Sequence, residues 1–180
     1  MNQDATDALL DLLNRVASAE RDLIDGIDEA AAVAETVLEV HGAAVMLLNR
    51  DGDFGLVGAS NPYAAALERA QIEAGDGPCM ECTRRGAVVA VDDLTEAPRW
   101  QGLAGPHVRA VLAAPIWFLG RPVGSLNALC SHPRTWTAEN EQSLAAYAGV
   151  VTALLRVAVA AGNDDDPLVA ELRLSLDAQA

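Results

Sequence analysis

Two short turns decide what kind of sheet this chain can make. Asp51-Gly52 separates the apolar runs 43–49 and 54–60, and Leu119-Gly120-Arg121 separates 110–118 from 122–131. Asp-Gly between strand-length apolar runs is a hairpin signal. A chain with two hairpins is committed to a mainly antiparallel sheet, and the run 87–91 supplies a fifth strand.

The remaining segments carry helical spacing. Thr6 or Asp7 can cap a first helix to about residue 19, with Leu9, Leu12, Leu13 and Val16 as its stripe. A second helix is predicted over 28–40, with Val33, Val37 and Val40 along one side and His41-Gly42 as its end. Asn61-Pro62 starts a helix through 72, and Pro78 opens a short one that carries Cys79 to Arg85 and stops at Gly86. Thr137 caps a long last helix to about 161, with Glu139 and Glu141 in its first turn, where the helix dipole favours acids. Residues 92–109 form a long connection holding Pro98, Gly102, Gly105 and Pro106. Residues 1–161 thus read as one domain, and 162–180 as an acidic linker and a short amphipathic tail marked by Leu168, Leu172 and Leu176.

Composition narrows the function classes. Hydrophobic residues are 51% and aromatics 4%, so the core is built from Ala, Val, Leu and Ile. Twelve cations, all Arg, against 26 acids leave a net charge of −14. Such a surface repels nucleic acid and anionic lipid, so neither is an expected partner. No uninterrupted apolar run reaches the roughly 18 residues of a membrane span. The acidic first residues lack the positive region of a signal peptide, which gives a cytoplasmic expectation. Three Cys give no disulfide framework.

Three stretches, in this order and spacing, resemble a GAF domain. They are Glu73-Ala-Gly-Asp-Gly-Pro-Cys79 with the run 87–94, then Arg109-Ala-Val-Leu-Ala-Ala-Pro115 with Gly120-Arg-Pro-Val-Gly-Ser-Leu-Asn127, then Trp136-Thr-Ala-Glu139. The resemblance covers about 22–161 and is similar to the actinobacterial type, without the RNA-binding ANTAR output module. It implies an α+β, GAF-like (PAS-related) fold: a central antiparallel sheet of about five to six strands with flanking helices. It also implies a small-molecule pocket between the sheet and the segments 61–86 and 95–109, and dimerisation through flanking helices. The apolar series Leu144, Tyr147, Val151, Leu154 and Ala158 of the last helix and the stripe of the first are the expected contact surfaces.

Within that frame, Cys79 and Cys82 form a Cys-x-x-Cys at a helix start, where the N-terminal field lowers a thiol pKa. They are candidate redox residues, against the plainer reading of Cys79 as a small core residue. The sulfoxide-reductase branch of the family keeps its reactive thiol in the long loop after the third strand. Here 92–109 holds no Cys, which argues against that activity. The cyclic-nucleotide signature is matched in part by Asn127, but Ala128 stands where the family has Lys; Asn127 is expected to satisfy backbone groups.

His107 is the one candidate of the three His for a haem-type pocket, and no His/Cys spacing fits a closed zinc site. Trp100, Trp117 and Arg109 complete the candidate ligand-binding set. Arg109 serves either as the cation for an anionic ligand group or as the partner of Asp92 or Asp93. No cofactor is named by these residues. The expectation is a non-enzymatic sensor that binds a small molecule or senses redox state, signals through a homodimer and acts on a separate output protein. The alternatives are a thiol-dependent free methionine-R-sulfoxide reductase and a ligand-free dimerisation domain.

Overall fold

Asp22 starts the first helix of the computed structural model, which describes residues 22–161 and 168–170. Its carboxylate accepts from the Ile24 N–H at 3.1 Å, capping α1 (Leu23–Leu38). The helix therefore begins five residues earlier than its valine spacing suggests. It also turns a different face inward. Leu23, Ile27, Ala30, Ala31, Ala34 and Leu38 are buried, while Val33 and Val37 are exposed. Alanines on the inner face let the helix backbone approach the sheet closely, so the valines are left outside. Glu39, in the left-handed region, ends the helix, and Gly42 already belongs to β1. No basic residue sits in the last turn; Arg134 supplies that role from far along the chain, donating to Leu38 O and Glu39 O at 3.0 Å each.

The strands are β1 (Gly42–Leu48), β2 (Phe54–Ala59), β3 (Val89–Val91), β4 (Ala110–Phe118) and β5 (Arg121–Cys130). They form one sheet in the order β2-β1-β5-β4-β3, with every pairing antiparallel. Both predicted hairpins are present. Between the strands lie α2 (Pro62–Ala74), α3 (Pro78–Arg85) and two short 3-10 turns, Leu94–Glu96 and Gln101–Leu103. Thr137 and Asn140 exchange side-chain caps to start α4 (Ala138–Ala161).

Strand alternation sorts the side chains onto two faces. Ala43, Val45, Leu47, Leu112, Ala114, Leu126 and Ala128 pack with α1 and α4 in one apolar cluster. Ala44, Met46, Val111, Ala113 and Leu129 face the other way, toward α2, α3 and the connection 92–109. By length and composition α4 is apolar enough to cross a membrane, contrary to what the broken apolar runs of the sequence suggest. Its Leu144, Ala148, Val151, Leu154, Leu155 and Ala158 instead lie in the core shared with the sheet and α1. The stripe expected at Leu9, Leu12, Leu13 and Val16 lies outside the described residues, as do Leu172 and Leu176.

Candidate functional site

The face under α2 and α3 is not uniformly apolar. Ser125 and Asn127 alternate with Leu126 on β5 and point to this side, and both are buried. Above them, Glu68 and Gln71, one helical turn apart on α2, are fully buried. Cys79 at the start of α3 completes the group. Asn127 Nδ2 donates to Glu68 Oε1 at 3.1 Å, and Gln71 Nε2 donates to Glu68 Oε2 at 3.1 Å. Gln71 also receives the Cys79 backbone N–H at 3.0 Å and donates to Cys79 Sγ at 2.9 Å. The Cys79 thiol lies 3.7 Å from Glu68 Oε1.

Local sequence positions these atoms. Asn61 caps α2 by accepting from Tyr63 N and Ala64 N, with Pro62 behind it. Gly77 leaves room for the Gln71 amide: a Cβ there would stand 2.1 Å from Gln71 Oε1. The chain can therefore pass close over Gln71 and present the Cys79 N–H to it.

Burial sets the charge state of the cluster. It pushes the Glu68 carboxyl up to about 8, only partly offset by the hydrogen bonds from Asn127 and Cys79, so Glu68 is neutral at pH 7. Burial also raises the Cys79 thiol well above its usual range and pushes Cys82 up to about 12. The helix field expected to lower these thiols loses to desolvation, and neither is a thiolate near neutrality. Ser125 Oγ and Asn127 Oδ1 are buried without a hydrogen-bond partner among the described residues.

The other predicted residues are spread around this cluster. Trp100 is half-buried, packs against the same apolar cluster as Cys79 and donates its indole N–H to Asp76 Oδ2 at 3.1 Å. Arg109 is committed to Asp93: Nε donates to Oδ1 at 3.0 Å and Nη2 to Oδ2. Of the two roles left open for Arg109, the ion pair is the one present, and it holds the Asp93 carboxyl well below its usual range. His107 is exposed and stacks on Tyr63, with centroids 4.0 Å apart. Trp117 is 42% exposed and lines a groove with Gly86, Ala145, Gly149 and Arg156, on the β4–α4 side of the molecule. Asn127 gives a backbone group only a long bond, to Ser125 O at 3.5 Å; its shorter one reaches across to Glu68 on α2.

Glu68, Gln71 and Ser125 are functional candidates that sequence reasoning missed. The signal was the inward stripe of α2, Ala64, Leu67, Glu68 and Gln71, whose last two members look like surface residues by type.

The antiparallel sheet, with helices on one face and a helix-and-loop cover on the other, defines a small α+β domain. The GAF domain model matches residues 22–155, and the chain belongs to the GAF domain family. Solved structures agree on the fold. The GAF domain from an Acinetobacter phosphoenolpyruvate-protein phosphotransferase is 17% identical with a TM-score of 0.66, covering 91% of this chain and 99% of that one. Free methionine-R-sulfoxide reductase from Neisseria meningitidis, solved with its substrate, is 18% identical with a TM-score of 0.64, covering 89% and 96%. The GAF domain of the cyanobacteriochrome TePixJ is 23% identical with a TM-score of 0.57, covering 76% and 91%. A search of curated proteins by sequence finds no match.

Proposed function

We propose that this domain is a non-enzymatic sensor that binds a small, neutral, hydrogen-bonding molecule against the Glu68–Gln71–Ser125–Asn127 cluster. The observation that carries this reading is the pair of orphaned atoms, Ser125 Oγ and Asn127 Oδ1, inside a fully buried polar group. A buried polar atom without a partner costs about 1–3 kcal/mol, and ligand sites are where such a cost is offset on binding. Neutral chemistry follows from the surroundings. Glu68 carries no charge at pH 7, and the two arginines of the covering loop, Arg99 and Arg109, are each paired to a carboxylate. Without a Cys in 92–109, nothing supplies the loop nucleophile of the reductase branch, so catalysis is not part of the reading.

The test is mass spectrometry of the purified native protein for a retained molecule, followed by thermal-shift screening on wild type and Asn127→Leu. Neutral ligands are expected to raise the wild-type midpoint and to lose that effect in the variant. Turnover of free methionine sulfoxide would move the chain to the reductase class.

Signalling through a homodimer belongs to the same reading, with a separate protein as output. Of the residues expected at the contact, Leu144, Val151, Leu154 and Ala158 are covered within the chain. Beyond its first turn, the outer face of α4, including Ala145, Ala146, Gly149 and Ala160, is exposed and free of charge apart from Arg156. That face supports a helical interface. Sedimentation is expected to give about twice the 18.8 kDa chain mass; a monomer at high concentration would remove the dimer.

A further inference from the structure

The connection between β3 and β4 is built as a pinned loop. Its base is closed three times: Leu94 N donates to Arg109 O at 2.7 Å, Arg109 pairs with Asp93, and Leu94 and Val108 are buried at the two ends. Between those anchors the loop is tied to α2 by the stack of His107 on Tyr63 and, at its middle, by a polar clasp. Its second 3-10 turn, Gln101–Leu103, contains no buried residue. An open cleft of about 440 Å³ separates it from the end of α2, with Ala70, Glu73 and Leu103 in its walls.

The clasp is centred on one side chain. Asp76, three residues before Cys79, accepts from Arg99 Nε and Nη2 at 2.7 Å each and from the Trp100 indole at 3.1 Å. Arg84 of α3 donates to it at 3.2 Å, and Glu81 takes a further bond from Arg99 at 3.2 Å. Arg99 lies over the Trp100 ring, 5.0 Å from its centroid. Asp76 thereby joins the free part of the loop to the start of the helix that carries Cys79. Trp100, Ala97, Leu103 and Ala104 of the loop pack on the cluster that includes Cys79, Met80 and Leu94.

We propose that Asp76 is the latch of a lid: its clasp on Arg99 and Trp100 holds residues 95–107 down, and its release opens the buried Cys79–Glu68–Asn127 cluster to solvent while the rest of the fold stays closed. The purpose of the opening, admitting a ligand, rests on the reading above, but the opening itself does not. The latch is a charge-assisted fork, directional and partly exposed, so it can break without disturbing the apolar core. Its loop partners, Arg99 and Trp100, leave with the loop while Arg84 stays on α3, and the Asp93–Arg109 pair remains as the hinge closure.

The experiment uses Cys79 as its reporter and N-ethylmaleimide as the probe, with no ligand present. Labelling of Cys79 and Cys130 is followed by peptide mass spectrometry in the native wild type, in Asp76→Asn and in Arg99→Gln. Cys130 lies in the cluster on the opposite face of the sheet, so it reports global unfolding. Loss of hydrogen bonds to a charged group is expected to speed Cys79 labelling about tenfold in each variant, with Cys130 unchanged. Equal acceleration at both thiols would mean general destabilisation, and no acceleration at Cys79 would mean no latch; either result overturns the proposal. Neither bears on ligand binding, which the thermal-shift screen reads separately.

Discussion

Replacing Glu68 by Gln is expected to remove most of the alkaline loss of stability of this protein. The Glu68 carboxyl ionises at about 4.5 in the unfolded chain and at about 8 in the fold. Between those values the unfolded state releases a proton that the folded state keeps. Stability is therefore fully present below pH 4.5, falls by about 1.4 kcal/mol per pH unit as pH rises toward 8, and levels off above it. The accumulated loss is on the order of 5 kcal/mol, comparable with the whole stability of a small domain. Gln keeps the size without titrating; its oxygen accepts from Gln71 as Glu68 Oε2 does, and its NH2 donates to Asn127 once that amide turns its unpartnered Oδ1 inward. Wild type and Glu68→Gln should be within about 1 kcal/mol of each other at about pH 5, and the variant should be the more stable at about pH 8. Urea titrations from about pH 5 to about pH 9 check this, and parallel curves for the two proteins would defeat it. Asp76 and Asp93 act with the opposite sign at the acid end. Their carboxyls are held below the usual range, chiefly by Arg99 and Arg109, so what they contribute is lost as pH falls.

The elements most legible in the sequence are those bounded by turn chemistry. The residues 110–118, between Arg109 and Leu119-Gly120, are β4 as predicted, and Asp51-Gly52 marks the first hairpin. Faces are harder to read than elements. On α1 the larger valines suggest the inner side, but a helix packed close on a sheet favours alanine there. The site shows the same difficulty. Glu68 and Gln71 carry surface chemistry by residue type, and only the helical phase set by Ala64 and Leu67 turns them inward. Asn127 is visible as a polar residue in a strand, yet its partner is 59 residues away, and no local pattern encodes that contact. The thiol at Cys79 is legible as a residue at a helix start, while its burial, which reverses the expected pKa direction, comes from α2 and the loop above it.

The most severe small substitution should be Gly124→Ala. Gly124 lies in β5, the middle strand of the five, opposite Leu47 of β1 and Ile116 of β4. A Cβ there would stand 2.0 Å from the Met46 carbonyl oxygen, 2.6 Å from Leu47 Cδ2 and 2.9 Å from Leu47 Cα. Two of those three atoms are backbone, so no rotamer change relieves the clash. Relief requires β1 and β5 to separate at the centre of the sheet, which breaks ladder hydrogen bonds and disturbs both faces at once. Overpacking of this kind costs about 3 kcal/mol, a fall in melting temperature of roughly 6–12 °C for a chain of this size. Ser125 follows directly in the strand, so the polar cluster should shift as well, and the steep pH dependence carried by Glu68 should weaken. Gly149→Ala is the matched control. That glycine lies on the outer face of α4 proposed above as the dimer contact, a methyl group added to it would meet nothing of its own chain within 4 Å, and helix propensity favours Ala by about 1 kcal/mol. Thermal melts of the two variants should move in opposite directions. If Gly124→Ala melts with the wild type, the close approach of β1 and β5 at this point is not a feature of the fold.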